Sequence, residues 1–203
     1  MSSTLIQLPP PRLKGELSVE EAIYKRKSAR RFSPTPISIQ EVAQLLWAAY
    51  GTIDNRRTIP SAGATYPLEI YLAASRVEEL DPGVYKYLTR RHALELVKKG
   101  DVADRLAAAC SYQMIVERAA ANVVIAALSR RTTAMYGERG IRYVLLEAGH
   151  AGQNIYLQAE ALNLRTVAIG AFNDSEVRFI LGMPRELVPI YVFPVGKPRE
   201  EII

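Results

Sequence analysis

The sequence predicts an α+β fold, a mixed or antiparallel sheet flanked by helices, on three observations. Segments of helical and of strand period alternate along the chain without an internal repeat. Two short apolar runs, VYKYL and ALELV, are separated by TRRH in the manner of a hairpin. Residues 142–164 form one long apolar helical pattern in which Glu147 and Glu160 are the only formal charges after Val144. A helix so uncharged all round belongs in a core or between subunits.

In chain order, the three consecutive prolines after Leu8 predict an extended arm over residues 1–17, of the kind that packs over a neighbour. A single domain is expected from 18 to 203. Ser18 with Glu21, and Ser38 with Glu41, have the capping-box spacing and start two helices, the second ending at Gly51. A long loop follows to Pro67; loops of that length inside a domain are usually functional. LEIYLAA reads as a strand, and the hairpin comes next with His92 in its turn as a solvated residue. Asp101 caps a helix, and a short helix covers 113–118. NVVIAAL is a buried strand, followed by an Arg-rich helical stretch. In the long helix, Val144, Ala148, Ala151, Ile155, Ala159 and Leu162 share one face, and Gly149 with Gly152 offers a face for close approach. His150 is read as buried or at an interface. Asn163 turns the chain into TVAIGAF, a strand running into a small-residue loop, Asp174 caps a helix, and VPIYVFPVGKP closes the sheet.

Composition narrows the chemistry. With hydrophobic residues at 49% and charged residues at 23%, the chain is an ordinary globular sequence rather than a disordered one. Cys110 is the only cysteine, which excludes an intrachain disulfide and a cysteine-built metal site. Two histidines cannot make a histidine-rich metal centre, and no metal site is expected. The absence of a secretory or membrane-spanning pattern makes a cytoplasmic location the default expectation. The net charge of +5 favours an anionic partner, either nucleic acid or a phosphorylated ligand. There is no phosphate-binding G-x-x-x-x-G-K-[ST] loop, no G-x-G-x-x-G opening a helix, and no nucleophile elbow.

What remains suits a flat, phosphorylated ligand. Arg26, Ser28 and Arg30, with Lys27 among them, combine cationic forks and a hydroxyl where a helix gives way to extended chain; the alternative is a solvated basic turn. Pro60, Ser61, Ala62 and Gly63 form a small-residue loop able to approach a planar ring, or a plain turn. Ile169, Gly170 and Ala171 present backbone N–H groups with little side-chain obstruction. Lys197 and Arg199 follow the last strand as phosphate ligands or as a soluble tail.

In this order, RKSAR with Phe32, PSAGATYPLE from Pro60, EAGH from Glu147 with Gln153 and Asn154, and IGAF from Ile169 resemble the nitroreductase superfamily of FMN enzymes. PSAGATYPLE and EAGHAGQN are most similar to the branch containing the SagB-type azoline dehydrogenases. The resemblance runs from about Ser18 to Arg199. It implies a central mixed sheet and a homodimer with two FMN sites at the interface, the long helix at its middle. It also implies Arg26 and Ser28 on the phosphate from one side, Lys197 and Arg199 from the other, and Arg30 at the N1/O2 edge of the ring. Pro60 to Gly63 would reach the flavin across the interface, Gly170 and Ala171 would face N5 and O4, and Gln113 would place an amide on the ribityl or ring edge.

Two departures stand out: Lys27 replaces a second arginine, and Ala171 replaces a second glycine. The implied activity is that of an oxidoreductase passing hydride between NADH or NADPH and a flat electrophile, a nitroaromatic or quinone, by alternate occupation of one site. No side chain is assigned as acid or base, because the cofactor carries the chemistry. The alternatives are azoline oxidation, although no docking extension for a peptide-making partner is visible, and a flavin-binding or nucleic-acid-binding protein without turnover. With aromatics at 8% and no stacking platform, nucleic acid is disfavoured. Lys86-Tyr87 is a Lys-Tyr pair read as structural. Residues 77–118 are expected to include a lid over the flavin.

Overall fold

A seven-stranded sheet divides the molecule into two layers. The computed structural model describes residues 4–199; the first three residues of the expected arm and the last four of the expected domain lie outside them. The strand order is β1 (Leu5–Gln7), β6 (Ala93–Lys99), β5 (Gly83–Leu88), β4 (Leu68–Ala74), β7 (Ala121–Ala127), β9 (Val188–Gly196) and β8 (Arg165–Thr166). All six ladders are antiparallel, and parallel pairing among the described residues is confined to an isolated Ile37–Val77 bridge. A separate two-stranded ribbon, β2 (Thr52–Ile53) with β3 (Arg56–Arg57), lies in the long loop before β4.

Period-two alternation assigns the two faces. Leu68, Ile70, Leu72 and Ala74 of β4 face a core shared with α2 (Ile39–Tyr50) and α6 (Arg139–Ala161). Tyr71 and Ala73 face the other way, into a core with α3 (Ala103–Ala109), α4 (Met114–Glu117) and α7 (Asp174–Ile180). Strands buried on both faces read as continuous apolar runs, which is why LEIYLAA and ANVVIAA were recognisable. Both capping boxes form: Ser18 accepts from the Glu21 amide at the start of α1 (Val19–Lys25), and Ser38 accepts from the Glu41 amide before α2. Asp101 accepts from the Ala103 amide as expected, whereas α7 is capped by Asn173 and not by Asp174.

Several expectations change. The arm adds an edge strand to its own sheet, and Arg12 exchanges hydrogen bonds with Gln44 of α2. His92 is half-buried beneath the arm: its Nε2 donates to the Pro9 carbonyl and its Nδ1 accepts from the Tyr87 hydroxyl, both at 2.8 Å. Burial pushes its pKa down, in keeping with a neutral ring in that tautomer. Of the expected TVAIGAF run only Thr166 is laddered, together with Arg165 before it; the chain passes into the loop earlier than expected, touching the sheet again where Ile169 exchanges hydrogen bonds with Val192. Most of residues 77–118 is regular structure, β5, β6 and the packed helices α3 and α4, with Tyr112 and Met114 exposed between and at the start of those helices.

The long helix α6 begins at Arg139, after α5 (Arg130–Tyr136) stops at Gly137 with φ 58°. Its inner face is the expected one, with Val144, Ala148, Ala151, Ile155 and Ala159 buried. Gly140, Glu147 and Gly152 are buried as well, but one apolar flank of the helix is not. Ile141, Leu145 and Leu146 are 46%, 53% and 56% exposed, beside exposed Gly149 and His150. The two glycines point in different directions. A Cβ on Gly152 would sit 2.9 Å from Phe193 Cζ inside the subunit, while nothing lies within 4 Å of one on Gly149.

Candidate functional site

Two polar clusters hang on α6, nine residues apart, or about 14 Å at ~1.5 Å rise per residue. The first gathers around Tyr156. The phenol oxygen accepts from the Ala168 amide at 2.8 Å and lies 3.0 Å from Ser28 Oγ. Donating its proton to Ser28 leaves the serine hydrogen free for another acceptor. Arg26 ends α1 and lays its guanidinium 5.2 Å from the Tyr156 ring centroid, a cation–π contact. The Ala29 amide donates to the Thr166 carbonyl, so the 26–30 segment is stitched to the chain entering the 168–171 loop.

Lys27 and Arg30 are exposed and, among the described residues, have no hydrogen-bond or ion-pair partner. Lys197 arrives at the end of β9, where Ser33 donates to its carbonyl and Phe32 bridges Pro198. Its ammonium is ion-paired with Glu41, the same residue that closes the capping box of α2. Arg199 is exposed just beyond. Ile169 is buried, whereas Gly170 and Ala171 are exposed, and Gln113 Nε2 approaches the Ala171 carbonyl at 3.5 Å. A Cβ on Gly170 would meet only Tyr191, at 4.0 Å. The chain's own packing leaves room for a side chain there, so the backbone at Gly170 is open to approach.

The second cluster is built on Glu147. Its two oxygens accept from Tyr50 at 2.9 Å and from Ser61 at 2.6 Å, and Ser61 Oγ accepts in turn from the Tyr66 amide. Burial pushes the Glu147 pKa up against the pull of those two donors, and burial beside Glu147 raises that of Tyr50. Arg57 lies between the rings of Tyr50 and Tyr66, 5.3 and 5.0 Å from their centroids. Gly63, Ala64 and Tyr66 all have positive φ, at 57°, 51° and 46°. Such clusters of left-handed residues persist only where surrounding contacts hold them. Gly63 is required by the chain's own packing, since a Cβ there would lie 2.7 Å from Met135 Sδ and Tyr136 Oη. Pro60 is exposed, with Ser61 and Ala62 half-buried.

The structure therefore joins Arg26, Lys27, Ser28 and Arg30 with Ile169, Gly170, Ala171, Gln113 and Lys197 at one end of α6. It keeps Pro60, Ser61, Ala62 and Gly63 at the other. Lys86 and Tyr87 point to opposite sides of β5: Lys86 pairs with Glu69 at 3.1 Å and Tyr87 holds His92. Tyr156, Tyr50, Glu41 and Arg57 escaped the sequence reading. Tyrosine at these positions carries no motif, and the contacts of Tyr156 with Ser28, Tyr50 with Glu147 and Glu41 with Lys197 span 128, 97 and 156 residues, so only the fold reveals them. Among the described residues no serine or cysteine side chain is hydrogen-bonded to a histidine or lysine side chain, and Ser61, the serine held by Glu147, also accepts from the Tyr66 amide as part of the loop's scaffold. The site offers cations, hydroxyls and open backbone amides, which suits binding an anionic, flat group.

Comparison with known proteins places this geometry. The Nitroreductase family model matches residues 23–197. MJ1384, a candidate nitroreductase of Methanocaldococcus jannaschii, is 43% identical over 91% of this chain and 93% of its own length. The microcin B17-processing protein McbC of Escherichia coli is 27% identical over 81% of the chain, which spans 64% of McbC. A solved structure of a candidate nitroreductase from Anabaena variabilis superposes with a TM-score of 0.85 at 28% identity, covering 97% of this chain and 42% of that one. A match over residues 23–197 takes in both clusters on α6 and every strand but the first. The chain belongs to the nitroreductase family and is an oxidoreductase of that family.

Proposed function

We propose that the chain is an FMN-dependent NAD(P)H oxidoreductase that reduces a flat electrophile, a nitroaromatic or a quinone, with the two substrates occupying one site in turn. The observation that carries the reading is the Ser28–Tyr156–Ala168 link, which fixes a hydroxyl and unpaired cations beside an open glycine loop. Those residues fit a flavin mononucleotide. Arg26, Lys27, Ser28, Lys197 and Arg199 would hold its phosphate, Arg30 would bring a cation to the ring, and Gln113, Ile169, Gly170 and Ala171 would border it. When bound, FMN supplies the hydride-accepting and hydride-donating ring, which is why no side-chain acid or base is needed.

The protein's own residues orient and shield. Lys197 must be drawn from Glu41 toward the phosphate, while Tyr156 keeps Ser28 aimed. The separation of about 14 Å along α6 supports a dimer in which Pro60, Ser61, Ala62 and Gly63 serve the partner's flavin. The exposed face of Ile141, Leu145, Leu146 and Gly149 is its interface. Glu147 holds that loop rigid.

The similarity to McbC favours a second reading, hydride transfer from an azoline in a modified peptide to the same cofactor. The absorption spectrum of the purified protein, with release of FMN on denaturation, tests the first claim; a colourless protein that takes up no added FMN overturns it. Anaerobic mixing with NADH and NADPH then separates the activities. Bleaching by either supports the reductase. A flavin left oxidised by both overturns it and leaves azoline oxidation, or binding without turnover.

A further inference from the structure

We propose that the groove at the end of the sheet where β4 begins and β5 ends binds an oxyanion, a carboxylate or phosphate carried by a small-molecule substrate. The identity of that molecule as a substrate rests on the oxidoreductase reading above. The groove has a volume of about 640 Å³, within the range of small-ligand sites. Five cations line it: Arg57, Lys86, Arg90, Arg91 and Arg131. Glu69 and Glu95 are the only carboxylates among its lining residues, and they leave an excess of three positive charges. Glu69 is already committed, accepting from Arg131 at 2.7 Å and pairing with Lys86 at 3.1 Å. Among the described residues, no carboxylate lies within ion-pair distance of Arg57, Arg90 or Arg91.

Arg57 is the decisive member. The rings of Tyr50 and Tyr66 hold its guanidinium, and Nη1 donates to Thr52 Oγ1 at 2.7 Å. Its Nε is buried and has no acceptor. Unpaired buried donors are rare and ask for an explanation. With Nη1 engaged and Nε enclosed, Nη2 is the donor left to face the groove, one charge-assisted bond to an oxyanion that Arg90 and Arg91 of the same lining complete. The guanidinium is fixed before the ligand arrives, so little conformational entropy is lost on binding. The Thr52 hydroxyl donates onward to the Thr89 carbonyl, which ties the Arg57 anchor to the turn carrying Arg90 and Arg91.

The groove also lies beside the proposed flavin contact. Thr65 and Tyr66 line it and follow Gly63 by two and three residues, so an anion there is within about 10 Å of the 60–63 loop. A planar substrate stacked at that loop would extend a carboxylate or a nucleotide phosphate into the groove.

The test is calorimetric titration of the purified protein at low ionic strength, where such contacts are least screened. Flavin content is first measured by absorbance. Two matched pairs are used, 2′,5′-ADP against adenosine and 4-nitrobenzoate against 4-nitrobenzamide. In at least one pair the anion binds about tenfold or more tighter than its neutral analogue. The double variant Arg90→Ser/Arg91→Ser, in an exposed turn, cuts that preference several-fold, and Arg57→Lys removes it. A preference in the first pair identifies the source as a nucleotide phosphate, and one in the second as a substrate carboxylate. No preference in either pair, or one unchanged in both variants, overturns the proposal. A colourless protein that keeps the preference would overturn the flavin reading and leave the groove. A flavin-loaded protein without it would do the reverse.

Discussion

Ser61 donates its hydroxyl to Glu147 at 2.6 Å, joining residues 86 apart in sequence. The same hydroxyl oxygen accepts from the Tyr66 amide, so one buried carboxylate on α6 fixes both ends of a loop whose middle has left-handed backbone. The loop is pre-set by the chain that carries it.

Replacing Glu147 by glutamine separates charge from shape. The amide still accepts from Tyr50, but its NH₂ group confronts Ser61, which then has no acceptor. At acidic pH, where the wild-type group is the protonated acid and likewise turns a donor toward one partner, the cost is about 1 kcal/mol or less. The wild-type carboxyl has its folded pKa raised above the ordinary 4.5 by burial. Its contribution is therefore complete below that value and is lost as pH rises through the folded value. Glutamine does not titrate. Thermal melts at pH 5 and pH 8 should show the Tm deficit of Glu147→Gln shrinking at the higher pH; a deficit that grows would contradict the raised pKa.

How much of this was legible depends on distance along the chain. Capping boxes, β4, β7 and the inner face of α6 are short-range patterns, and the residues around Ser18, Ser38 and Val144 behave as their spacing predicts. The family motifs likewise pointed to the segments proposed above as the site. What escaped was every contact made through a tyrosine or an ion pair across the fold, such as Lys197 with Glu41 at a separation of 156 residues. The strand that begins 166–172 passes into its loop sooner than the apolar run suggests, because such a run does not tell a strand from a loop packed against one. His92 was misjudged because its burial comes from the arm, 83 residues earlier.

The glycines of α6 give a paired test of the dimer. Gly152 packs on Phe193, so Gly152→Leu overfills the core and should cost about 1–3 kcal/mol or more. Loss of flavin by that variant would report misfolding, not dissociation. Gly149 faces open space, and Gly149→Leu adds bulk to the exposed apolar face while improving helix propensity. Sedimentation velocity should show Gly149→Leu shifted toward monomer with its far-UV circular dichroism retained. A dimer of unchanged strength would move the interface elsewhere.

Tyr156→Phe removes one oxygen and two contacts. The Ala168 amide loses its acceptor and Ser28 its orienting partner, while the ring beneath Arg26 remains. The fold should lose about 1 kcal/mol, and FMN affinity should fall further than that loss of stability explains. Ser28→Ala in the same background should add little to the affinity loss, because the two side chains act as a unit. Fluorescence titration of FMN into the four members of that cycle measures the coupling. Strict additivity would show that Ser28 does not depend on Tyr156.

Lys197 distinguishes a phosphate ligand from a structural ion pair. Its link to Glu41 is partly exposed, and such pairs contribute only about 0–1 kcal/mol to stability. Lys197→Gln should thus leave Tm nearly unchanged in the protein freed of flavin. If the ammonium transfers to the FMN phosphate, the same substitution should weaken FMN binding about tenfold at low salt, with the gap narrowing as ionic strength rises. Glu41→Gln should have the opposite effect on affinity, because it removes the competitor while the amide oxygen still closes the capping box onto the Ser38 amide. Titrations at two salt concentrations decide it: equal FMN affinities for wild type, Lys197→Gln and Glu41→Gln would make the pair a purely structural link between α2 and the end of β9.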